Sequence, residues 1–221
     1  MSRFKTFSEE EIQRINRLQR DLFDKLYHVF DPPLPDGVIE RLEKIVACGN
    51  IVKGATVLDV GSGTGVLIPL IQRHKPQLIY ACDLSEAMLE QLRKNYTHVE
   101  TILADVRDLS LPEGSIDVVF INACYPNIVD KIGAFANLSR MMKPEGRIVI
   151  SHPLGKGFIH SLKASIPFPL DEFPDEQEAD ALLKPFGFKI ERFIDEPQLY
   201  ILVATKMIIA DADEPLYLPR R

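Results

Sequence analysis

Three glycines stand at alternate positions directly after a run of β-prone residues. Residues 57–60 read Val-Leu-Asp-Val, and Gly61, Gly63 and Gly65 follow them. Without a Cβ, the backbone can turn sharply there and a ligand can lie against it, while the next helix offers the positive end of its dipole. The dinucleotide fingerprint would need its third glycine where Val66 stands. The pattern predicts a nucleotide-type turn that departs from the nicotinamide type.

Two aspartates follow the next two predicted strands. Asp83 comes after the strand at 78–82 and lies 22 positions after Gly61, and its carboxylate can accept hydrogen bonds from both hydroxyls of a ribose. Asp105 follows the strand at 99–103. Either aspartate alone could be a helix cap. In this order after the glycines, the two favour a nucleoside site.

Together these motifs resemble the class I S-adenosylmethionine-dependent methyltransferases, in their small-molecule (type 11-like) subgroup. Strands predicted at 116–122 and 147–151 and a closing hairpin that ends at 200–205 complete the order, so the resemblance covers residues 54–206. It implies an α/β fold with an N-terminal helical arm and a doubly wound, seven-stranded, mostly parallel sheet, whose last strand is antiparallel and lies beside the fifth. The implied cofactor is S-adenosylmethionine, with S-adenosylhomocysteine as product.

In that family the glycine turn holds the methionine end of the donor, the first aspartate holds the ribose, and the second holds the adenine. Leu84 or Met88 would face the adenine ring. Asp59 has two open interpretations, contact with the methionine amino group or stabilisation of the turn alone. The predicted donor-binding residues are Asp59, Gly61, Ser62, Gly63, Gly65, Asp83, Leu84, Met88, Asp105, Val106 and Asn122.

Methyl transfer from a sulfonium depends more on an acceptor held in line with the S–CH₃ bond than on covalent catalysis. We expect Asn122 and Tyr125, from the end of the fourth strand, to border the methyl group as catalytic candidates. Amino-methylating DNA enzymes of this superfamily carry Asn-Pro-Pro-Tyr at the equivalent place, and this chain lacks both prolines. Cys124 could mark methylation of a soft metalloid, although a single thiol is more often a small buried hydrophobe.

His152 directly follows the fifth strand and is the third catalytic candidate. A general base there could take a proton from an oxygen or nitrogen acceptor. Alternatively, the ring anchors the loop that begins at Pro153 through hydrogen bonds. Tyr27 and His28 on the arm could close over the pocket, although aromatic residues at helical spacing more often pack a core. His160 lies in the following loop.

Composition and charge limit the possible partners. A net charge of −6 argues against a nucleic-acid partner, since backbone binding relies on clustered Lys and Arg. No apolar run has the length of a membrane span, and residues 1–5 lead into acids rather than a signal segment. The three cysteines lack metal-ligand spacing. We expect a cytoplasmic protein with reduced thiols and no metal, and the sequence leaves the oligomeric state open.

We expect one domain over residues 1–221. Ser8 and Glu11 form a capping box at the start of an amphipathic helix, which the prolines from Pro32 onward must end. Further helices are predicted at 64–73, 85–95 and 130–141. The predicted parts are a helical arm (1–53), a donor-binding core (54–152), an irregular acceptor loop or lid (153–175), a C-terminal helix with antiparallel strands (176–208) and a tail (209–221).

The predicted function is S-adenosylmethionine-dependent methyl transfer to an oxygen, nitrogen or carbon of a small molecule by in-line displacement. One alternative is a nicotinamide-dependent oxidoreductase, which Val66 and the Asp105 motif oppose. The other is a catalytically inactive, methyltransferase-like interaction protein. Against that alternative, the site is intact at Gly61, Gly63, Asp83 and Asp105, and an inactive protein has no reason to keep these polar groups in place.

Overall fold

The computed structural model describes residues 7–29, 33–163 and 165–208. The predicted tail at 209–221, and Pro32 of the proline run, lie outside these ranges. The helices are α1 (Glu9–Leu26), α2 (Val38–Cys48), α3 (Ile68–Gln72), α4 (Glu86–Asn95), α5 (Lys131–Met141), α6 (Gly155–Leu162) and α7 (Glu176–Leu183). The strands are β1 (Thr56–Val60), β2 (Leu78–Asp83), β3 (Glu100–Leu103), β4 (Ile116–Asn122), β5 (Met142–His152), β6 (Phe188–Glu196) and β7 (Leu199–Lys206).

All seven strands form one sheet in the order β3-β2-β1-β4-β5-β7-β6. The first five strands pair in parallel, and β7 runs antiparallel between β5 and β6. This confirms the predicted doubly wound sheet and the insertion of the last strand beside the fifth. Chain order reverses between β1 and β4, and ligands of open α/β sheets bind beside such a switch point.

The central strand β4 shows how the core is divided between the two faces of the sheet. Val119 and Ile121 pack into the apolar cluster on one face, whereas Val118 and Phe120 pack into the cluster on the other. Successive side chains of a strand point to opposite faces, and a parallel sheet is covered on both. Helices therefore flank β4 on both sides, and its carboxyl end is left open for a site.

Side-chain caps start the helices around the site. Ser8 accepts a hydrogen bond from the amide of Glu11, and both halves of the predicted capping box are present. Ser85 caps α4 through the amide of Met88, and Asp130 caps α5 through the amide of Gly133. These caps satisfy amide groups that helix ends leave without partners. They also fix where the loops after β2 and β4 end.

The helix after the glycine turn is shorter than the predicted 64–73. Helix α3 has only five residues. Gly63 and Gly65 have φ angles of 55° and 94°, outside the right-handed helical region. The chain therefore runs through turns as far as Leu67 before the helix begins.

The segment 153–175 was expected to be irregular, and that expectation is wrong for its first half. Helix α6 forms because the prolines lie only at the flanks of this stretch, and its Ile159 is 3% exposed. The second half is held by the amide of Asp171, which donates to the Pro126 carbonyl at 3.2 Å, and by the Tyr200 hydroxyl, which donates to the Pro174 carbonyl at 3.1 Å. That the segment closes over an acceptor stays a prediction.

Gly61 occupies a position where both the backbone angle and the available space demand glycine. Its φ is 64°, and a Cβ there would lie 2.2 Å from Sγ of Cys124. We expect Gly61→Ala to destabilise the fold by more than the roughly 1–2 kcal/mol of left-handed strain alone, because a steric clash adds to the strain. Gly114→Ala is the matched control, since Gly114 has a φ of 55° and no atom within 4 Å of its added Cβ. Equal losses in urea unfolding would contradict the crowding at Cys124.

Candidate active site

A cavity of about 470 Å³ lies at the carboxyl ends of β1, β2, β4 and β5. This volume is within the range of small-molecule sites. One end is lined by the glycine turn and by Asp59, Asp83 and Asp105, and the other end is lined mainly by apolar side chains. The cavity thus joins two chemically different halves at the switch point of the sheet.

The glycine turn is fixed to the neighbouring strand by backbone hydrogen bonds. The amides of Gly61 and Ser62 both donate to the carbonyl of Cys82, at 2.7 and 3.1 Å. Gly61, Ser62 and Gly63 line the cavity. Gly65 does not, because its Cα faces α4, where an added Cβ would meet Tyr96 at 3.0 Å. Gly65 therefore allows the turn to pack closely on α4.

Asp83 links the turn to the start of α4. Its Oδ2 accepts from the amide of Gly63 and its Oδ1 accepts from the amide of Ser85, both at 2.9 Å. Burial raises the pKa of Asp83, while these amide hydrogen bonds act in the opposite direction. The carboxylate still has acceptor capacity for a ligand donor, so it is both oriented and able to bind a hydroxyl.

Asp59 is the most unusual group in the cavity. It is 2% exposed, and its Oδ2 has no hydrogen-bond partner among the described residues. Burial, and then the nearby charge of Asp83, raise the pKa of Asp59 to about 8. An unpaired, buried carboxyl oxygen that lines a cavity fits an incoming ammonium group. The hydroxyl of Ser62 beside it is also unpartnered among the described residues.

Asp105 is engaged by the N-terminal arm. Its Oδ2 accepts from the side-chain amide of Asn16 at 2.7 Å, and its Oδ1 accepts from the backbone amide of Arg107 at 3.0 Å. Asn16, Gln19 and Phe23 of α1 line the cavity, and none of the three was predicted from the sequence. A usable signal was the pair of amide side chains one turn apart on α1, of which Gln19 is 1% exposed.

The residues after β4 separate into two groups. Asn122 lines the cavity, and its Oδ1 accepts from the hydroxyl of Ser151 at 3.0 Å. Tyr125, the other candidate there, does not line the cavity. It is 2% exposed, and its ring stacks on Phe173 with centroids 5.5 Å apart. Burial raises the pKa of Tyr125, so its phenol is a protonated core group.

His152 lines the cavity and is held in one orientation. Its Nδ1 accepts from the amide of Leu154 at 3.1 Å, and its ring packs against Phe158 and Phe173, with centroids at 5.3 and 5.7 Å. Burial lowers the pKa of His152 to about 4. The ring is therefore neutral at neutral pH, and because Nδ1 accepts a hydrogen bond, the proton is on Nε2.

The apolar half of the cavity is built by the arm, α2 and α6. Its lining residues include Phe23, Val29, Leu34, Val38, Leu42 and Phe158. Tyr27, His28 and His160, proposed from the sequence to lie near the pocket, are not among the lining residues. His160 is instead exposed and lies 3.7 Å from a carboxylate oxygen of Glu172.

Two further properties of the described residues bear on the chemistry. No three His, Cys, Asp or Glu side chains within 7–29, 33–163 and 165–208 are grouped so that they could hold a metal ion. None of the helices in these ranges is long and apolar enough to cross a membrane.

The family model described as "Methyltransferase domain" matches residues 58–150. This segment runs from β1 into β5 and carries the glycine turn with Asp83 and Asp105. Residues 58–150 therefore match a methyltransferase domain, which supports the predicted class I S-adenosylmethionine-dependent methyltransferase. The match gives no support to the nicotinamide-dependent alternative.

Two curated relatives illustrate the similarity in sequence. The malonyl-[acyl-carrier protein] O-methyltransferase of Halorhodospira halophila is 28% identical over 162 residues, which cover 72% of this chain and 49% of the relative. The ubiquinone/menaquinone biosynthesis C-methyltransferase UbiE of Vibrio vulnificus is 29% identical over 153 residues, which cover 64% of this chain and 58% of the relative. The chain spans about half the length of the curated relatives it matches.

Solved structures show the same fold at lower sequence identity. A methyltransferase from Aquifex aeolicus aligns with a TM-score of 0.68 at 21% identity, over 83% of this chain and 98% of that chain. Magnesium protoporphyrin IX methyltransferase from Synechocystis, solved with S-adenosylhomocysteine, aligns with a TM-score of 0.65 at 19% identity, over 87% and 99%. These alignments establish the Rossmann-like methyltransferase fold.

The raised pKa of Asp59 makes stability depend on pH. The folded-state pKa of about 8 exceeds the unfolded value of about 3.9, so the native state holds an extra proton between these values. The stability linked to this proton is fully present below about pH 4 and is lost as the pH rises through about 8. We expect Asp59→Asn to abolish this loss, so that the variant gains stability relative to wild type from pH 5 to 9.

Urea unfolding of the ligand-free protein at several pH values measures this effect. Asp180→Asn, at an exposed position of α7, is the matched control and should run parallel to wild type. Parallel curves for Asp59→Asn as well would show that Asp59 is ionised in the free protein.

Proposed function

We propose that this protein transfers a methyl group from S-adenosylmethionine to a neutral, largely apolar small molecule. The observation that carries the proposal is a single cavity with the glycine turn and three aspartates at one end and an apolar wall at the other. The two ends suit a polar donor and an apolar acceptor whose reacting atoms meet between them.

At the polar end, each proposed contact pairs groups of matching chemistry. Asp59 and Ser62 have the unpartnered oxygens that the methionine ammonium and carboxylate groups would engage. Asp83 would accept from the ribose hydroxyls, and Asp105 with Val106 would bind the adenine edge. Leu84 and Met88 also line the cavity and would cover the face of the ring.

The apolar end limits the class of acceptor. No Lys or Arg is among the described residues that line the cavity. Burying a phosphate or carboxylate without a cation costs several kcal/mol, roughly the penalty of an unpaired buried ion. Of the two activities named for the relatives above, this lining favours an uncharged, quinone-like ring over a malonyl carboxylate.

The proposed chemistry relies on positioning. Bound S-adenosylmethionine supplies an already electrophilic methyl group on a sulfonium. Residues of the apolar wall would hold the acceptor atom in line with the S–CH₃ bond and exclude water. Asn122, whose carbonyl oxygen is occupied by Ser151, would present its NH₂ group beside the reacting atoms. Tyr125 has no direct role in this scheme because it lies behind the cavity wall.

His152 is better suited to donate a hydrogen bond than to act as the general base that the sequence suggested. The lone pair on Nδ1 is committed to the amide of Leu154, and Nε2 carries the proton. A base acting through Nε2 would need the other tautomer, in which Nδ1–H would oppose the amide N–H. We therefore assign His152 as a donor to an oxygen of the acceptor. The methyl group would leave S-adenosylhomocysteine behind, and the proton that a neutral acceptor must lose on methylation would pass to solvent rather than to this ring.

The first test of the function is donor binding. We expect wild type to bind S-adenosylmethionine and S-adenosylhomocysteine, and Asp83→Ala to raise both Kd values about 10- to 150-fold, the effect of losing a hydrogen bond to a charged group. Isothermal titration calorimetry measures the affinity, and thermal melting checks that the variant is folded. Asp180→Ala should bind like wild type. Unchanged affinity in Asp83→Ala would remove Asp83 from the site.

A second test concerns the proton on His152. Long-range ¹⁵N–¹H NMR of the imidazole nitrogens should show a neutral ring protonated on Nε2 from pH 5 to 9, since the pKa is about 4. The spectrum of His152→Gln assigns the signals. Titration of the His152 ring near pH 6.5, or a proton on Nδ1, would instead support His152 as a general base.

The acceptor itself can be found by screening pooled neutral metabolites for formation of S-adenosylhomocysteine. With that acceptor, we expect His152→Gln to retain transfer, because its amide replaces the Nε2–H donor, and His152→Leu to lose about tenfold or more. If His152→Gln is as slow as His152→Leu, the result would favour proton transfer by His152 over hydrogen-bond donation. Absence of any turnover, together with tight donor binding, would support the inactive interaction protein.

A further inference from the structure

Helix α1 makes its polar contacts with the loops that carry the donor-binding residues. The side chains of Gln19 and Arg20 donate to the carbonyls of Asn127 and Leu84, at 2.9 and 3.1 Å. The hydroxyl of Ser85 donates to Asp24 at 2.5 Å. These partners follow β2 or β4 at the carboxyl edge of the sheet. The arm is therefore docked on the donor half of the cavity as well as on its apolar half.

Asn16 makes the most direct of these contacts. Its side-chain nitrogen lies 2.7 Å from Oδ2 of Asp105, and both residues line the cavity. The other carboxylate oxygen accepts from the amide of Arg107, so the plane of the carboxylate is fixed from two sides. Each oxygen still has a free lone pair. Asn16 thus orients the acceptor group that faces the adenine in the proposed function.

We propose that Asn16 completes the adenine subsite from the arm, as a positioning residue that acts through Asp105, and that docking of α1 is coupled to donor binding. This inference rests on the proposed function. An oriented carboxylate accepts from the 6-amino group of adenine, whereas the 6-oxo group of hypoxanthine would face it with a second acceptor. Without Asn16 the carboxylate can rotate, and both affinity and base discrimination decrease.

The coupling follows from thermodynamic reciprocity. The contacts of Arg20 and Asp24 hold α1 against the loop after Asp83, and the contact of Asn16 holds it against Asp105. If docked α1 raises donor affinity, the donor must stabilise docked α1 by the same factor. Donor binding should therefore slow amide exchange in residues 9–26 of the full chain.

The experiment uses titration calorimetry of the full chain with two probes, S-adenosylhomocysteine and S-inosylhomocysteine. We expect wild type to prefer the adenosyl compound. Asn16→Ala should weaken binding of S-adenosylhomocysteine about tenfold, the scale of a hydrogen bond to a charged group. The ratio of the Kd values for the inosyl and adenosyl compounds should also decrease. Gln13→Ala is the control on the same helix, because Gln13 is exposed and its side chain donates to Glu9 of the same helix; this variant should match wild type.

A double-mutant cycle separates positioning from simple packing. In the Asp105→Ala background, Asn16→Ala should cost little further affinity. If the alanine variant fails to fold, Asn16→Asp supplies the test, since a second carboxylate beside Asp105 should weaken adenosyl binding further. Three results for Asn16→Ala would overturn the assignment of Asn16. They are unchanged affinity for S-adenosylhomocysteine, an equal loss of affinity for both probes, or an effect fully additive with that of Asp105→Ala. Failure of wild type to bind S-adenosylhomocysteine would instead overturn the proposed function itself.

Discussion

The carboxylate of Asp83 is the constraint on which the site depends. With one oxygen it holds the glycine turn of β1 and with the other it holds the amide of Ser85. Ser85 in turn caps α4 and contacts Asp24 of the arm. A single side chain at the end of β2 therefore sets the relative positions of a strand, a turn, a helix and the arm. If Asp83 binds the donor as proposed, the two oxygens that hold the local fold would also set the binding geometry.

The electrostatics of the cavity explain why it suits a cationic donor. Asp59, Asp83 and Asp105 line one end, and no Lys or Arg is among the described lining residues. Burial, and then repulsion from Asp83, favour the protonated form of Asp59, whose pKa is about 8. An ammonium beside Asp59 would offset both effects. The apolar wall gives no comparable compensation to an anion, so the same lining that would attract the donor would disfavour an anionic acceptor.

Residue type and position predicted the parts of the site that depend on one element at a time. The glycine turn, Asp83 and Asp105 each lie at or just after the carboxyl end of a strand, and parallel strands bring such ends together. Contacts between distant segments were not predictable in this way. Asn16 meets Asp105 across 89 positions, and nothing in the helical period of α1 selects that partner. Tyr125 looked catalytic by motif, yet packing against Phe173 places it in the core. The lengths of α3 and α6 could not be predicted from the hydrophobic pattern. They depend on the positive φ angles of Gly63 and Gly65 and on the positions of the prolines on either side of α6.

The thiol of Cys124 packs closely against Gly61, and its protonation state decides whether the donor could methylate it. Cys124 lines the cavity, next to where an activated methyl group would be held. A thiolate there would be alkylated by the donor, since the thiolate is the nucleophilic form of cysteine. Burial first, and then the negative charges of Asp83 and Asp105, raise the pKa of Cys124. Burial and the carboxylates that suit the donor thus keep this thiol protonated, which would protect the protein from methylating itself.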